Sequence, residues 1–328
     1  MRICCTGGNG MVGQSIKDFI STFQDDNMSH EQKQDKHEFI FLNRSLQNDH
    51  TVDLTDRVAV LSYFEKNKFD YIIHLAADVG GLFKNLHGNS RMFSNNIKIN
   101  ENILEACVIN GIHRGIFILS SCIFPTEPSK FPMNEGMIHE SAPHYSNEGY
   151  AYAKRMMHMQ CQQYNKTLHT EFICLVPVNL YGPHDNFNPE NSHLIPGLLH
   201  RFHNNKANCE QIIAYGSGKP LRQMLYVADF AKIIYHTLFD KSIKRHTIIC
   251  CNNEEFEIKE IVRILTDVMD IKYDNIQWNI NMSDGCMKKT VDNSLYNELF
   301  PTFEFTSFEL GINKTYEWYI NNLDNIRV

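Results

Sequence analysis

The chain has 328 residues, 43% of them hydrophobic and 21% charged, so it has the composition of an ordinary globular protein with room for a large core. A net charge of −7 argues against a general nucleic-acid binder, and no apolar run reaches the ~18 residues that a membrane span would need. The ten cysteines include the adjacent pairs Cys4-Cys5 and Cys250-Cys251 in apolar runs. Their spacing fits neither a disulfide framework nor a metal site, so a reduced, cytoplasmic protein without a secretory leader is expected.

Met1 to Thr6 reads as a strand, followed at once by Gly7-Gly8-Asn9-Gly10-Met11-Val12-Gly13 and a helix whose apolar residues Val12, Ile16, Phe19, Ile20 and Phe23 repeat at helical spacing. Strand, glycine turn and helix in this order suit a dinucleotide. The glycines allow close backbone approach, and the helix N-terminus offers free N–H groups to a pyrophosphate. Residues 24 to 37 are polar and without period, which predicts a surface insertion. Glu38 to Leu42 is the second strand, ending in Asn43-Arg44 where an acidic residue would bind the ribose of NAD; a cation there favours the 2′-phosphate of NADP.

Val52-Asp53-Leu54 is expected to be a short third strand and Tyr71 to Ala77 a fourth, ending in small residues that let a cofactor approach. His74 reads as a packed strand residue. Strands alternate with helical stretches, so the predicted fold is α/β, a Rossmann-type doubly wound parallel sheet with a smaller C-terminal lobe.

Gly115 to Leu119 is a buried run that delivers Ser120, Ser121 and Cys122 to a strand's carboxyl edge, where ligands sit in such sheets. An irregular loop follows, then Gly149 to Met156, in which Tyr150 and Lys154 project from one helix face. The nearby ammonium is expected to lower the tyrosine pKa; Tyr152 lies on another face. Thr170 to Pro177 is a further strand, and Val178 to Phe187 a turn-rich loop leaving the sheet. Tyr226 to Phe239 predicts a helix, and Thr247 to Cys251 a strand returning to the main sheet. The expected division is residues 1–180 with 225–251 as a dinucleotide-binding domain, and 181–224 with 252–328 as a substrate-binding lobe.

Thr6 to Gly13, Ser120 and Tyr150-x-x-x-Lys154 together resemble the extended branch of the short-chain dehydrogenase/reductase family. Within it the chain is most similar to the GDP-4-keto-6-deoxy-mannose epimerase/reductases. That likeness rests on Ala77-x-Val79-Gly80-Gly81, Ser120 to Pro125, Tyr150 to Lys154, Asn179 to Phe187 and Ser192 to Gly197. The resemblance implies epimerisation of a 4-keto GDP-sugar at C3 and C5, then reduction at C4 with NADP(H). It implies Cys122 and His184 as epimerisation base and acid, with Ser120, Tyr150 and Lys154 for reduction. It places the cofactor on Gly7 to Gly13, Arg44, Asp53, Leu54, Leu75 to Ala77, Lys154, Pro177 and His184. The substrate falls to Val79, Asn179, Arg222 and Lys289, and a homodimer is implied. The alternatives are another extended sugar-nucleotide epimerase or dehydratase, or a non-catalytic NADP-binding sensor. A dehydratase would be expected to carry Asp-Glu where this chain has Ser121-Cys122.

Overall fold

A computed structural model describes residues 1–25, 37–44, 48 and 50–328. Most of the polar insertion expected at 24–37 lies outside the described residues. In chain order the elements are β1 (Arg2–Thr6), α1 (Met11–Asp25), β2 (Glu38–Leu42), α2 (Arg57–Lys66), β3 (Tyr71–His74), α3 (Leu82–Ile109), β4 (Arg114–Ile118), α4 (Glu148–Thr167), β5 (Glu171–Pro177) and β6 (Asn179–Tyr181). They continue as α5 (Leu194–Ala207), β7 (Ile212–Tyr215), β8 (Leu221–Tyr226), α6 (Val227–Phe239), β9 (Thr247–Cys250), β10 (Glu255–Glu257), α7 (Ile258–Val268), β11 (Ile276–Asn279), α8 (Ser294–Leu299) and α9 (Phe308–Asn321).

The main sheet has six strands in the order β2-β1-β3-β4-β5-β9. Every neighbouring pair in it is parallel. Its central strands are buried on both faces, which is why β4 and β5 read as continuous apolar runs rather than alternating ones. From β1 the chain steps outward to β2 and then crosses to β3 on the other side, so the order reverses between β1 and β3. A crevice opens at the carboxyl ends of strands at such a point. As expected, β9 completes the sheet, with Cys174 in register with Thr247.

Val52 to Leu54 is not a strand. Asp53 accepts hydrogen bonds from the Thr55 N–H at 2.9 Å and hydroxyl at 2.8 Å, and Asp56 caps α2. These local bonds favour a turn over a ladder. Only Thr51 pairs, in an isolated bridge with Asn43.

Two hydrophobic clusters organise the packing. The first surrounds the main sheet and includes Ile3, Ile72, Ile116, Phe172 and Ile249, with Val291 and Tyr296 joining it from far along the chain. The second gathers Phe187, Leu199, Phe202, Ile261, Leu265, Ile312 and Tyr319. Beside it lie a sheet of order β10-β8-β6 and the parallel pair β11-β7. Among the described residues no helix is long and apolar enough to cross a membrane.

Candidate active site

The glycine turn lies directly on the strand ends. Gly7 has φ +73°, and a Cβ there would stand 3.0 Å from the Ala76 nitrogen; one at Gly13 would stand 2.7 Å from the Gly7 oxygen. Larger residues would therefore force the turn off the sheet. The Gly8 N–H donates to the Leu42 carbonyl at 3.0 Å and the Gly10 N–H to the Gly7 carbonyl at 2.9 Å. Asn9, Met11 and Val12 complete the turn, leaving the first N–H groups of α1 without intrahelical acceptors, as a pyrophosphate requires.

A buried network fixes the opposite wall. The Thr6 hydroxyl accepts from the N–H groups of Leu75 and Ala76, each at 3.1 Å, and meets His74 Nδ1 at 2.8 Å. Its two lone pairs are then taken, so it donates to Nδ1, and the His74 proton sits on Nε2. That nitrogen donates to Asn100 Oδ1 at 3.1 Å, and the Asn100 amide donates to the Ala153 carbonyl at 3.4 Å. Thus α3 and α4 are keyed to the ends of β1 and β3. Burial, helped by the Lys154 charge, pulls the His74 pKa down to about 3, so it stays neutral. The expectation of a packed histidine is met, with the added role of orienting Leu75 and Ala76.

Arg44 is exposed beyond the end of β2. It lies within electrostatic reach of Asp53, whose carboxyl is held low first by the Thr55 hydrogen bonds and further by the Arg44 charge. Leu54 is buried beneath this corner, and Pro177 is buried at the end of β5.

At the end of β4 the Leu119 N–H donates to the Leu175 carbonyl at 2.8 Å, the last bond before the chain leaves the sheet. Ser120 then caps a short 3-10 turn over 121–123, its hydroxyl accepting from the Cys122 N–H at 3.4 Å. Ser121 is buried and Cys122 half-buried. From α4, Lys154 is 1% exposed, donates from Nζ to the Ile118 carbonyl at 2.6 Å, and stands 5.8 Å from the Tyr150 ring centroid. One lysine therefore ties α4 to the strand that carries Ser120. Tyr150 is buried, whereas Tyr152 faces outward.

The expected lowering of the Tyr150 pKa is corrected. Burial pushes the phenol up, the proximity of Cys122 adds to it, and burial also brings Lys154 down to about 8. Desolvation of the phenolate outweighs a cation already engaged by a carbonyl. Tyr150 is a phenol at neutral pH and hence a proton donor. Burial likewise raises the Cys122 thiol, opposed by the Ser120 hydrogen bond and by the charges of Lys289 and Lys154.

Lys289 thus reaches this group electrostatically from a loop more than a hundred residues further along the chain. Arg222 donates to its neighbour's carbonyl, that of Leu221, at 2.8 Å, near Asp284 and Cys286. The Asn179 amide donates to the Gln223 carbonyl at 2.9 Å. Asp284 holds Ser217 through its N–H at 2.6 Å and hydroxyl at 2.7 Å, fixing the loop before Lys289. Val79 is 45% exposed at the rim. A Cβ on Gly81 would collide with the Ser192 carbonyl, and the Gly81 N–H donates to Asn191 at 2.9 Å, so the Val79-Gly80-Gly81 and Ser192-to-Gly197 segments adjoin.

His184 is placed elsewhere. Its Nε2 lies 3.0 Å from Asp18 Oδ2 of α1 and its ring 4.7 Å from that of Trp318, so its own contacts are with these and not with Cys122.

Two residues escaped the sequence reading. Asp78 receives Lys84 at 2.8 Å and the Asn95 amide at 3.0 Å, while Asn96 brackets its backbone at 2.9 Å, setting the rim loop. His144 accepts the Ser146 N–H on Nδ1 at 3.3 Å, which leaves the proton on Nε2, and its pKa is lowered by burial and by Lys289 and Arg222. Asp78 stood inside a quoted motif, but nothing in the sequence marked His144. No group of three or more metal-ligating side chains occurs among the described residues.

Residues 3–250 match the model of the NAD dependent epimerase/dehydratase family. The chain is 36% identical to GDP-L-fucose synthase of Dictyostelium discoideum, over 99% of this chain and 97% of that protein. It is 30% identical to GDP-L-fucose synthase of Escherichia coli (strain K12), over 99% and 98%. A crystal structure of a GDP-L-fucose synthetase from Naegleria fowleri bound to NADP superposes with a TM-score of 0.88 at 36% identity, covering 100% of this chain and 95% of that one.

Proposed function

Because the chain belongs to the GDP-L-fucose synthases of the NAD dependent epimerase/dehydratase family and is an NADP-dependent epimerase/reductase, we propose that it converts GDP-4-keto-6-deoxy-D-mannose to GDP-L-fucose. Epimerisation at C3 and C5 precedes reduction of the C4 ketone. The carrying observation is the convergence of Ser120, Cys122, Tyr150 and Lys154 at one strand edge, with Lys289 in electrostatic reach.

A C4 ketone acidifies the C–H bonds on both sides of it. The Ser120 hydroxyl and Tyr150 phenol donate hydrogen bonds to its oxygen and stabilise each enolate as it forms. Cys122, as thiolate, removes the proton from one face; the acid for the other face is assigned to His184 by resemblance alone, since its ring contacts in the structure are with Asp18 and Trp318. Lys289 opposes the effect of burial on the thiol, increasing the thiolate fraction at neutral pH. NADPH, when bound, supplies the hydride to C4. Tyr150 delivers the proton to the C4 oxygen, completing the alcohol.

For the cofactor, Gly7 to Gly13 hold the pyrophosphate, Arg44 the 2′-phosphate and Lys154 the nicotinamide ribose, with Asp53, Leu54, Leu75 to Ala77, Pro177 and His184 lining the crevice. Arg222 and Lys289 neutralise the GDP diphosphate, and Val79 and Asn179 meet the sugar. A reduced, cytoplasmic setting suits ten free thiols. A homodimer through α3 and α4 is supported by the outward Phe93, Tyr152, Met156 and Met159.

The test is incubation with GDP-4-keto-6-deoxy-mannose and NADPH in deuterated water. Cys122→Ser should lose C3 and C5 exchange while still binding NADPH, and Tyr150→Phe should chiefly block hydride transfer. The reading fails if the wild type oxidises no NADPH with this substrate.

A further inference from the structure

Two consecutive residues of α4 hold the chain on either side of Ser120 to Cys122. Lys154 donates to the Ile118 carbonyl before them at 2.6 Å, and Arg155 donates from Nε to the Ile123 carbonyl after them at 2.7 Å. From Nη1 the same guanidinium donates to the Ser141 carbonyl, also at 2.7 Å. The loop that runs out from Ile123 is therefore fastened to its own returning end, where the Thr126 N–H also meets the Ala142 carbonyl at 3.0 Å.

The turn that presents Cys122 is weakly bonded within itself. The Cys122 N–H reaches the Ser120 hydroxyl at 3.4 Å, the Ile123 N–H the Ser120 carbonyl at 3.1 Å and the Phe124 N–H the Ser121 carbonyl at 3.3 Å. Ile123 is buried and anchors the turn by packing, but a directional bond is needed to set its rotation. The bond from Arg155 is short and charge-assisted, a class about twice as strong as neutral pairs. That guanidinium is only 7% exposed, burial lowers its pKa, and its Nη2 is buried with no hydrogen-bond partner. An apolar side chain would fill the space beside the Tyr152 ring at no such cost. What only a guanidinium supplies is a rigid fork that reaches two carbonyls at once.

We propose that Arg155 is a positioning residue for Cys122: by gripping the Ile123 and Ser141 carbonyls it sets where the thiol stands relative to Ser120 and Tyr150. This rests on the function proposed above, in which Cys122 is the epimerisation base. Ser120 follows Leu119, whose N–H is bonded into the sheet, and Lys154 is tied to Ile118. The reducing groups therefore keep their places when Arg155 is lost, while the thiol shifts. Misplacement by about 1 Å can cost on the order of a hundredfold in rate.

The experiment compares the full chain with Arg155→Met, which keeps the stem, and Arg155→Lys, which keeps the charge without the fork. Deuterium incorporation at C3 and C5 of GDP-4-keto-6-deoxy-mannose reports the thiol. Single-turnover oxidation of GDP-L-fucose at C4, with the hydride passing to NADP+, reports hydride transfer without epimerisation, and circular dichroism reports folding. Arg155→Met should slow exchange by about ten- to a hundredfold and Arg155→Lys by about tenfold, with hydride transfer within about threefold of wild type in both. Equal losses in exchange and hydride transfer would reduce Arg155 to a structural residue, and wild-type exchange in Arg155→Lys would leave it only its charge; either result overturns the proposal. If Arg155→Met does not fold, Arg155→Lys carries both readings. No exchange by the wild type overturns the functional reading and this role together, whereas normal exchange by a folded Arg155→Met protein overturns the role alone.

Discussion

Replacing Thr6 by valine keeps the shape of the side chain and removes one hydroxyl. In the structure that hydroxyl, on a residue with no exposure, serves the N–H groups of Leu75 and Ala76 and the Nδ1 of His74. One buried and two part-buried polar groups lose their partner together, each at about 1–3 kcal/mol, so Thr6→Val should destabilise the fold by about 3–9 kcal/mol. Against a total of about 5–15 kcal/mol this is severe. Thr6→Ser keeps the hydroxyl and loses one buried methyl group, at about 1 kcal/mol. Urea unfolding followed by circular dichroism separates the two, and titration with NADPH should show weaker binding for valine, because Leu75 and Ala76 lie against the glycine turn proposed to hold the pyrophosphate. Thr6→Val unfolding within 1 kcal/mol of Thr6→Ser, with unchanged NADPH affinity, would refute the network.

Other expectations concern charge. Arg44→Ala should weaken NADPH binding by on the order of tenfold or more and leave NADH nearly unaffected, as read by competition titration; equal losses for both would remove Arg44 from the 2′-phosphate. Lys289→Met should raise the Cys122 pKa further, so C3/C5 exchange measured against pH should need a more alkaline medium; an unshifted profile would detach the lysine from the thiol. Folding stability should fall on acidification. His74 and His158 titrate at about 3 and about 4 in the folded protein, whereas unfolded imidazoles titrate near 6.5. Between these values the unfolded chain holds the extra protons, so each group costs up to about 1.4 kcal/mol per pH unit as pH drops. Replacing His158 by Gln should flatten that slope, which urea midpoints at several pH values would measure.

The elements that were legible in the sequence are those whose signal is local. The glycine turn, the apolar β4 and β5, and the Tyr150–Lys154 face depend on neighbours a few residues away, and even the return of β9 announced itself as an apolar run. The three-residue strands β6 and β10 left no such mark, since each exists only by pairing with β8. Residues 52–54 looked like a strand because Val and Leu flank Asp53; the bonds from Thr55 made a turn instead. At the site, spacing placed Lys154 beside Tyr150 but not the direction in which the phenol titrates, which depends on burial. The neighbours of His184 come from α1 and α9, and no pattern in the chain couples residues 18, 184 and 318.

The position of β9 has a bearing on how the protein is made. Cys174 to Pro177 of β5 find their outer partner only in Thr247 to Cys250, about 70 residues later. At a synthesis rate of roughly 5–20 residues per second, the nascent chain presents an unpaired apolar strand edge for about 4–14 s. Such an edge is a template for wrong pairing. Chaperone demand during translation should therefore concentrate on the interval before residue 250 emerges, and chains arrested within it should be the ones that aggregate.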